Sequence, residues 1–244
     1  MPVHRPSAPP NQPATGPSDA STPPFNAPAA RRIRAALGMG AEHVAHTLRA
    51  SYGLPYATAD LVTAWERGTA SPSSPELTAL AAALWCSPGE LIGRPRTLRE
   101  HRVARGLPAE EVARGVGLEL ARYLRMEDGE GWRGTERQSA ALARVLDLAL
   151  PDFVAVTGRE ADLAELLRSA VGTRWQAYVR PVGKLVPLER RRLERALRRL
   201  HQDYQGQVVA SLSWGGNSAA RQSGDAGREF LDRIVEHFWA EAQP

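Results

Sequence analysis

Between residues 29 and 158 the large apolar residues come in short runs, spaced three and four apart, and each run is closed by glycine or proline. Nothing in that span alternates with period two for long, so the pattern predicts helices without a sheet, an all-α fold. A first helix ends at Gly38, and a similar one at Gly106, where glycine just past the last turn permits a left-handed cap. A second helix begins at Ala41 or Ala109 and turns at Gly53 or Gly117. A third runs about Thr58–Arg67 or Glu119–Asp128 and stops at Gly68 or Gly129. Two further helices close each set, Pro75–Trp85 with Pro88–Ile92, and Glu136–Asp147 with Pro151–Val156.

These two sets are copies. Arg31–Ala45 aligns without gaps on Arg99–Ala113, with identity at Arg31/Arg99, Arg34/Arg102, Ala36/Ala104, Gly38/Gly106, Ala41/Ala109, Glu42/Glu110, Val44/Val112 and Ala45/Ala113. The offset is 68 there and 61 at Glu66-Arg67-Gly68 against Glu127-Asp128-Gly129, so the first copy carries seven extra residues, within His46–Thr58. The chain is therefore read as a tail (1–28), a first unit (29–95), a second unit (96–158) and a C-terminal region (159–244).

The flanking segments follow different patterns. Residues 1–28 are rich in Pro, Ser, Ala and Thr and almost lack large apolar residues, so they predict a disordered tail. In the C-terminal region one helix carries Leu163, Leu166 and Leu167 on one face. A longer one carries Leu193, Leu197, Leu200 and Tyr204. Its other face bears Arg190, Arg191, Arg192, Arg195, Arg198 and Arg199, interleaved with Glu189 and Glu194. The stretch from Gly215 to Gly227 predicts a loop, and a last helix lines up Phe230, Ile234 and Phe238. Three wide apolar faces need partners, and a homodimer through 160–244 is one way to cover them.

The second copy resembles the XRE family, the helix-turn-helix domains of Cro and the lambdoid-phage repressors. The resemblance rests on Leu98-Arg99-x-x-Arg102, Gly106-Leu107, Glu110-Glu111-Val112-Ala113, Gly117 and Tyr123-x-x-Met126-Glu127-x-Gly129. The first copy matches once its insert is allowed. The resemblance covers about 130 of the 244 residues. It implies two tandem five-helix helix-turn-helix (lambda-repressor-like) domains and a regulator that binds double-stranded DNA through the third helix of each. It places Thr58, Ala59, Asp60, Thr63 and Ala64 at base-reading positions in the first copy, and Glu119, Leu120, Ala121, Leu124 and Arg125 in the second. The side chains expected to touch bases or phosphates are Thr58, Asp60 (as an acceptor from cytosine), Thr63, Arg67, Arg122, Arg125 and Arg133, supported by Thr69, Ser71, Ser73 and Ser74. The resemblance also implies that Arg34 with Glu66, and Arg102 with Glu127, form structural ion pairs joining the first helix to the end of the third.

Two features complicate that function. The family often opens its second helix with Gln, where this chain has Ala41 and Ala109, and Glu119 would repel phosphates. Net charge is +4, but the excess lies in 159–215, which nets to +5, while 29–95 nets to +1 and 96–158 to zero. An adaptor built on degenerate helix-turn-helix units is therefore the alternative. It would bind RNA polymerase, a sigma factor or another regulator, with a protein partner also open to the C-terminal region.

Other chemistry is sparse. Cys86 is the single cysteine, so no internal disulfide forms and a reducing, cytoplasmic setting is expected. No signal-peptide core or 18-residue apolar run is present, so no membrane partner is expected. His43 and His46 have a metal-compatible spacing, but no cysteine pair or acidic set completes a site. Gly38–Gly40 follows a helix rather than a strand, and no Gly-Lys-Ser/Thr exists. Neither a catalytic residue, a metal nor a cofactor is expected, and the chain does not read as an enzyme.

Overall fold

The computed structural model describes residues 22–213 and 227–242. These residues are helical throughout, without a strand; one isolated antiparallel bridge joins Phe25 to Ile92. The helices are α1 Ala27–Ala36, α2 Ala41–Ser51, α3 Ala59–Glu66, α4 Ser74–Ala83, α5 Pro88–Leu91, α6 Leu98–Ala104, α7 Ala109–Val116 and α8 Leu120–Arg125. They continue as α9 Glu136–Val145, α10 Leu150–Val156, α11 Glu160–Gly172, α12 Val179–Leu185, α13 Arg190–Ser213 and α14 Ile234–Ala242. A wide turn, Met126–Glu130, extends α8, and a 3-10 turn, Trp175–Tyr178, precedes α12.

The chain divides into two compact units. The first holds residues up to Pro95 together with Val103–Gly106. Its core gathers Val44, Ala45 and Leu48 of α2, Val62 and Trp65 of α3, Leu77 and Leu80 of α4, and Leu91 of α5. The second unit holds Arg96–Arg102 and the described residues from Leu107 onward. Here Val112, Ala113 and Val116 of α7 pack with Tyr123, Met126, Leu142 and Leu146.

Local signals set the helix ends. Gly38, Gly53, Gly68, Gly106, Gly117 and Gly129 all take positive φ, the conformation that ends each helix without a Cβ clash. Capping boxes start α4 (Ser73 with Glu76) and α9 (Thr135 with Gln138) at matching places in the two copies. Trp85 and Asp147 also correspond, following α4 and α9 at φ 56° and 51°. Asp tolerates that region through its short polar side chain; Trp does so rarely.

Three sequence expectations change. The tail is not unstructured to residue 28. The Asn26 side chain accepts a hydrogen bond from the Ala29 amide and starts α1, the Asn26 amide donates to Leu91, and Phe25 packs on the first core. Residues 1–21 lie outside the described residues, as does the expected loop except for Gly227. The boundary read at Gly158 separates helices that share a core. Phe153 and Val154 of α10 are buried with Leu163 and Leu167 of α11, Val182 of α12, Leu193, Leu197 and Leu200 of α13, and Phe230, Ile234 and Phe238. The C-terminal helices therefore cover their apolar faces within one chain. Among the described residues, the apolar faces that motivated a homodimer are largely covered within one chain.

Candidate nucleic-acid interface

In the first unit α2 and α3 are joined by residues 52–58, and the loop is tied down at several points. The Leu54 amide donates to Leu48, the Ala57 amide to Leu54, and the Arg49 guanidinium to the Ala57 carbonyl. The Tyr56 hydroxyl donates to Glu76 at 3.0 Å, although the ring itself is 56% exposed. The insert is thus a folded shoulder beside α3, not a loose extension.

The start of α3 is exposed, and its side chains are already in use. Thr58 Oγ1 accepts from the Leu61 amide at 3.1 Å, the bond that caps α3. Thr63 Oγ1 donates to the Ala59 carbonyl at 2.8 Å and is half-buried. Asp60 and Arg67 point to solvent. After α3, the Thr69 hydroxyl donates to Ala64, Ser73 caps α4, and Ser74 Oγ is buried. The serine cluster expected to hold phosphates therefore reduces to Ser71, which is exposed.

The second copy differs at each of these places. Glu119 precedes α8 in extended conformation and makes no capping bond with its side chain. Leu120 is half-buried against the second core and Leu124 is also half-buried, so neither stands free as a methyl-reading group. Arg122, Arg125 and Arg133 are exposed. Arg122 reaches the Arg133 carbonyl at 3.4 Å, and Arg125 lies 3.8 Å from Glu130.

Beneath both third helices sits the same clamp. Arg34 donates through Nε and Nη2 to the two carboxylate oxygens of Glu66, at 2.6 and 2.8 Å, and through Nη1 to the Met39 carbonyl. Arg102 grips Glu127 at 2.6 and 3.0 Å and the Leu107 carbonyl at 2.9 Å. One planar fork thus fixes the end of the third helix and the turn after the first. The bond to Glu66 raises the Arg34 pKa. Burial opposes the charge of Arg102, yet the bonds to Glu127 still raise its pKa.

The second clamp has extra members that the sequence reading missed. Arg99 also bonds Asp128 and lies 3.7 Å from Glu127. The Tyr123 hydroxyl is buried beside Glu127 and Arg102 without hydrogen-bond geometry to either. Burial first, and the Glu127 charge second, push that phenol far above its ordinary range. Val62 stands at the corresponding place in the first copy, so comparing the copies would have singled Tyr123 out.

His101 of α6 is a further buried polar group. Its Nε2 has no partner, and burial lowers its pKa against the pull of Asp152 and Glu100. Cys86 is half-buried in the first core, and burial raises its thiol pKa. Among the described residues no group of three or more His, Cys, Asp or Glu side chains is placed to hold a metal, and no helix is long and apolar enough to cross a membrane. No protein-family model, curated protein or solved structure matches the chain.

Proposed function

We propose that the chain is a sequence-specific DNA-binding transcriptional regulator of the XRE type. It carries two tandem five-helix helix-turn-helix domains, built on α1–α5 and α6–α10, ahead of a helical C-terminal region. The observation that supports this best is the doubled clamp. A guanidinium fork locks a short third helix at its far end while the first turn of that helix stays exposed. Rigid presentation of one helix N-terminus is what entry into a major groove requires.

The copies divide the work. In the first, Asp60 can accept from cytosine N4, and the Thr63 methyl can meet a thymine while its hydroxyl is held by Ala59. In the second, exposed Arg122, Arg125 and Arg133 meet phosphates and set register more than sequence. A mobility-shift titration against fragments of the source genome, repeated over a salt series, tests the proposal. Saturable binding that weakens log-linearly with salt is the expected result. Absence of binding to any fragment at low salt would defeat it. The adaptor reading draws on one observation, the exposed Glu119 and half-buried Leu120 where a groove-reading face is needed. It would then take precedence.

A further inference from the structure

On α13 the arginines are not equivalent. At about 100° per residue, Arg191, Arg195 and Arg198 lie within about 60° of one another, opposite buried Leu193, Leu197 and Leu200. All three are exposed. The arginines on the flanks are tied. Arg190 pairs with Glu194 at 2.9 Å, Arg192 donates to the Ala242 carbonyl at 2.8 Å, and Arg199 lies 3.7 Å from Glu241. No carboxylate is paired with the guanidinium groups of the central three among the described residues, although the Arg191 amide donates to Glu189, and Gln202 continues their line. Of the acids of this helix, Glu194 borders the stripe about 40° from Arg198 and is taken up by Arg190, and Asp203 lies well off it.

Arg198 is also held in place, its guanidinium 5.4 Å from the centre of the half-buried Trp175 ring. Arg174 next to that ring is exposed. Three like charges repeating at i, i+4 and i+7 oppose helix formation, and the nearby Glu194 is already paired with Arg190. The stripe spans about 10 Å, in the part of the chain that holds the basic excess. Duplex DNA presents about one negative charge per 1.7 Å of axis, so three contacts fit that length.

We propose that Arg191, Arg195 and Arg198 form a second, sequence-independent contact to the phosphate backbone of duplex DNA. The site rests on the DNA-binding reading above and adds to it: the C-terminal region supplies affinity, and the third helices supply choice of sequence. Phosphate contacts of this kind position a protein without reading bases.

The test uses the full chain and a mixed-sequence duplex of about 40 base pairs, followed by fluorescence anisotropy over a salt series. The variant R191Q/R195Q/R198Q should lower the slope of log affinity against log salt by about 2.7, at about 0.9 per contact. The variant R191K/R195K/R198K should keep most of the slope, because a point charge serves a phosphate. Should the triple Gln variant lose helicity, R195Q alone carries the test, with a slope reduction of about 0.9. If the native chain binds no duplex at low salt, the DNA-binding reading falls and this site falls with it. If the native chain binds and the Gln variant matches it in affinity and slope, this site alone is overturned. A stripe made for an acidic protein gives that second result.

Discussion

The two copies share a clamp and bury it to different depths. In the first, the Glu66 side chain is 8% exposed and pairs with Arg34. In the second, Glu127 is fully buried, and Arg99, Arg102, Asp128 and Tyr123 crowd around it. At the other end of the third helix the contrast reverses: Thr58 caps α3, while Glu119 caps nothing. The first copy fastens its third helix at both ends. The second relies on its inner end. One backbone plan thus tolerates two distributions of polar contact, and the DNA-binding reading proposed above assigns base contact to the copy with the firmer outer end.

That comparison can be broken in four ways, beginning with the clamp. Glu127→Ala should cost about 3–5 kcal/mol, because it removes a buried carboxylate and strands two partly buried cations. Glu66→Ala should cost less, since it strands one cation rather than two and the Glu66 side chain already reaches water. Urea unfolding of both variants measures the difference. Equal losses, or a larger loss at Glu66, would show that burial does not rank the clamps. At the outer end, Thr58→Ala should cost about 1 kcal/mol of stability and Glu119→Ala close to nothing. If both cost the same in thermal unfolding, the assigned cap contributes no stability.

The third comparison is of pH dependence. Burial works against the Glu76 charge, but bonds from Ser73 and Tyr56 outweigh it and hold the carboxyl below its ordinary 4.5. The stability from that cap is present above about 4.5 and lost as pH falls through the lower folded value. The second copy has Gln138 there, which does not titrate. Its acid-sensitive group is His101, kept neutral by burial, with Asp152 and Glu100 opposing. Stability from His101 is full above 6.5 and declines as pH falls from 6.5 toward its lowered folded value. His101→Leu should flatten the stability profile just below 6.5, and Glu76→Gln should flatten it below 4.5. Urea midpoints across pH 3–8 check both, and a profile unchanged by either variant removes that group from the account.

The fourth contrast concerns DNA. Arg133→Ala should reduce the salt slope by about one and weaken binding to all sequences alike. Thr63→Ala should instead alter preference at one base pair, by about 1–3 kcal/mol at most. Should Arg133→Ala change sequence preference while Thr63→Ala leaves it alone, the roles given to the two copies are exchanged.

Much of the helical plan could be read from residues, because glycines with positive φ recur at matching places and the apolar spacing is regular. The pairing of Arg34 with Glu66 and of Arg102 with Glu127 was legible only as what the family resemblance implies, at positions that recur in both copies. Other features depend on contacts distant in sequence. Phe153 and Val154 follow the spacing of the second copy, yet they pack in the C-terminal core, and no local signal separates the two outcomes. Helix α12 was hidden by Pro181 and Gly183, although proline is tolerated in a first turn. The hydroxyls of Thr58, Thr63 and Ser73 looked available as ligands; local backbone bonds had already claimed them. Nothing in the spacing pointed to Arg49, whose bond to Ala57 exists only because the insert folds back.

That insert also shows how a repeated domain can lengthen without being redesigned. Gly53 lies four residues further from the start of α2 than Gly117 does from the start of α7, and the remaining three follow the glycine, before Thr58. The last buried residues, Leu48 and Val116, still correspond, so everything added comes after the apolar face has ended. Arg49, Ala50 and Ser51 prolong the helix into water, about 4.5 Å beyond the core. The gap in the alignment is therefore a balcony. It changes the outline that the first copy presents to other molecules, adding exposed Tyr52 and Tyr56, and leaves the interior joinery of the two copies in register.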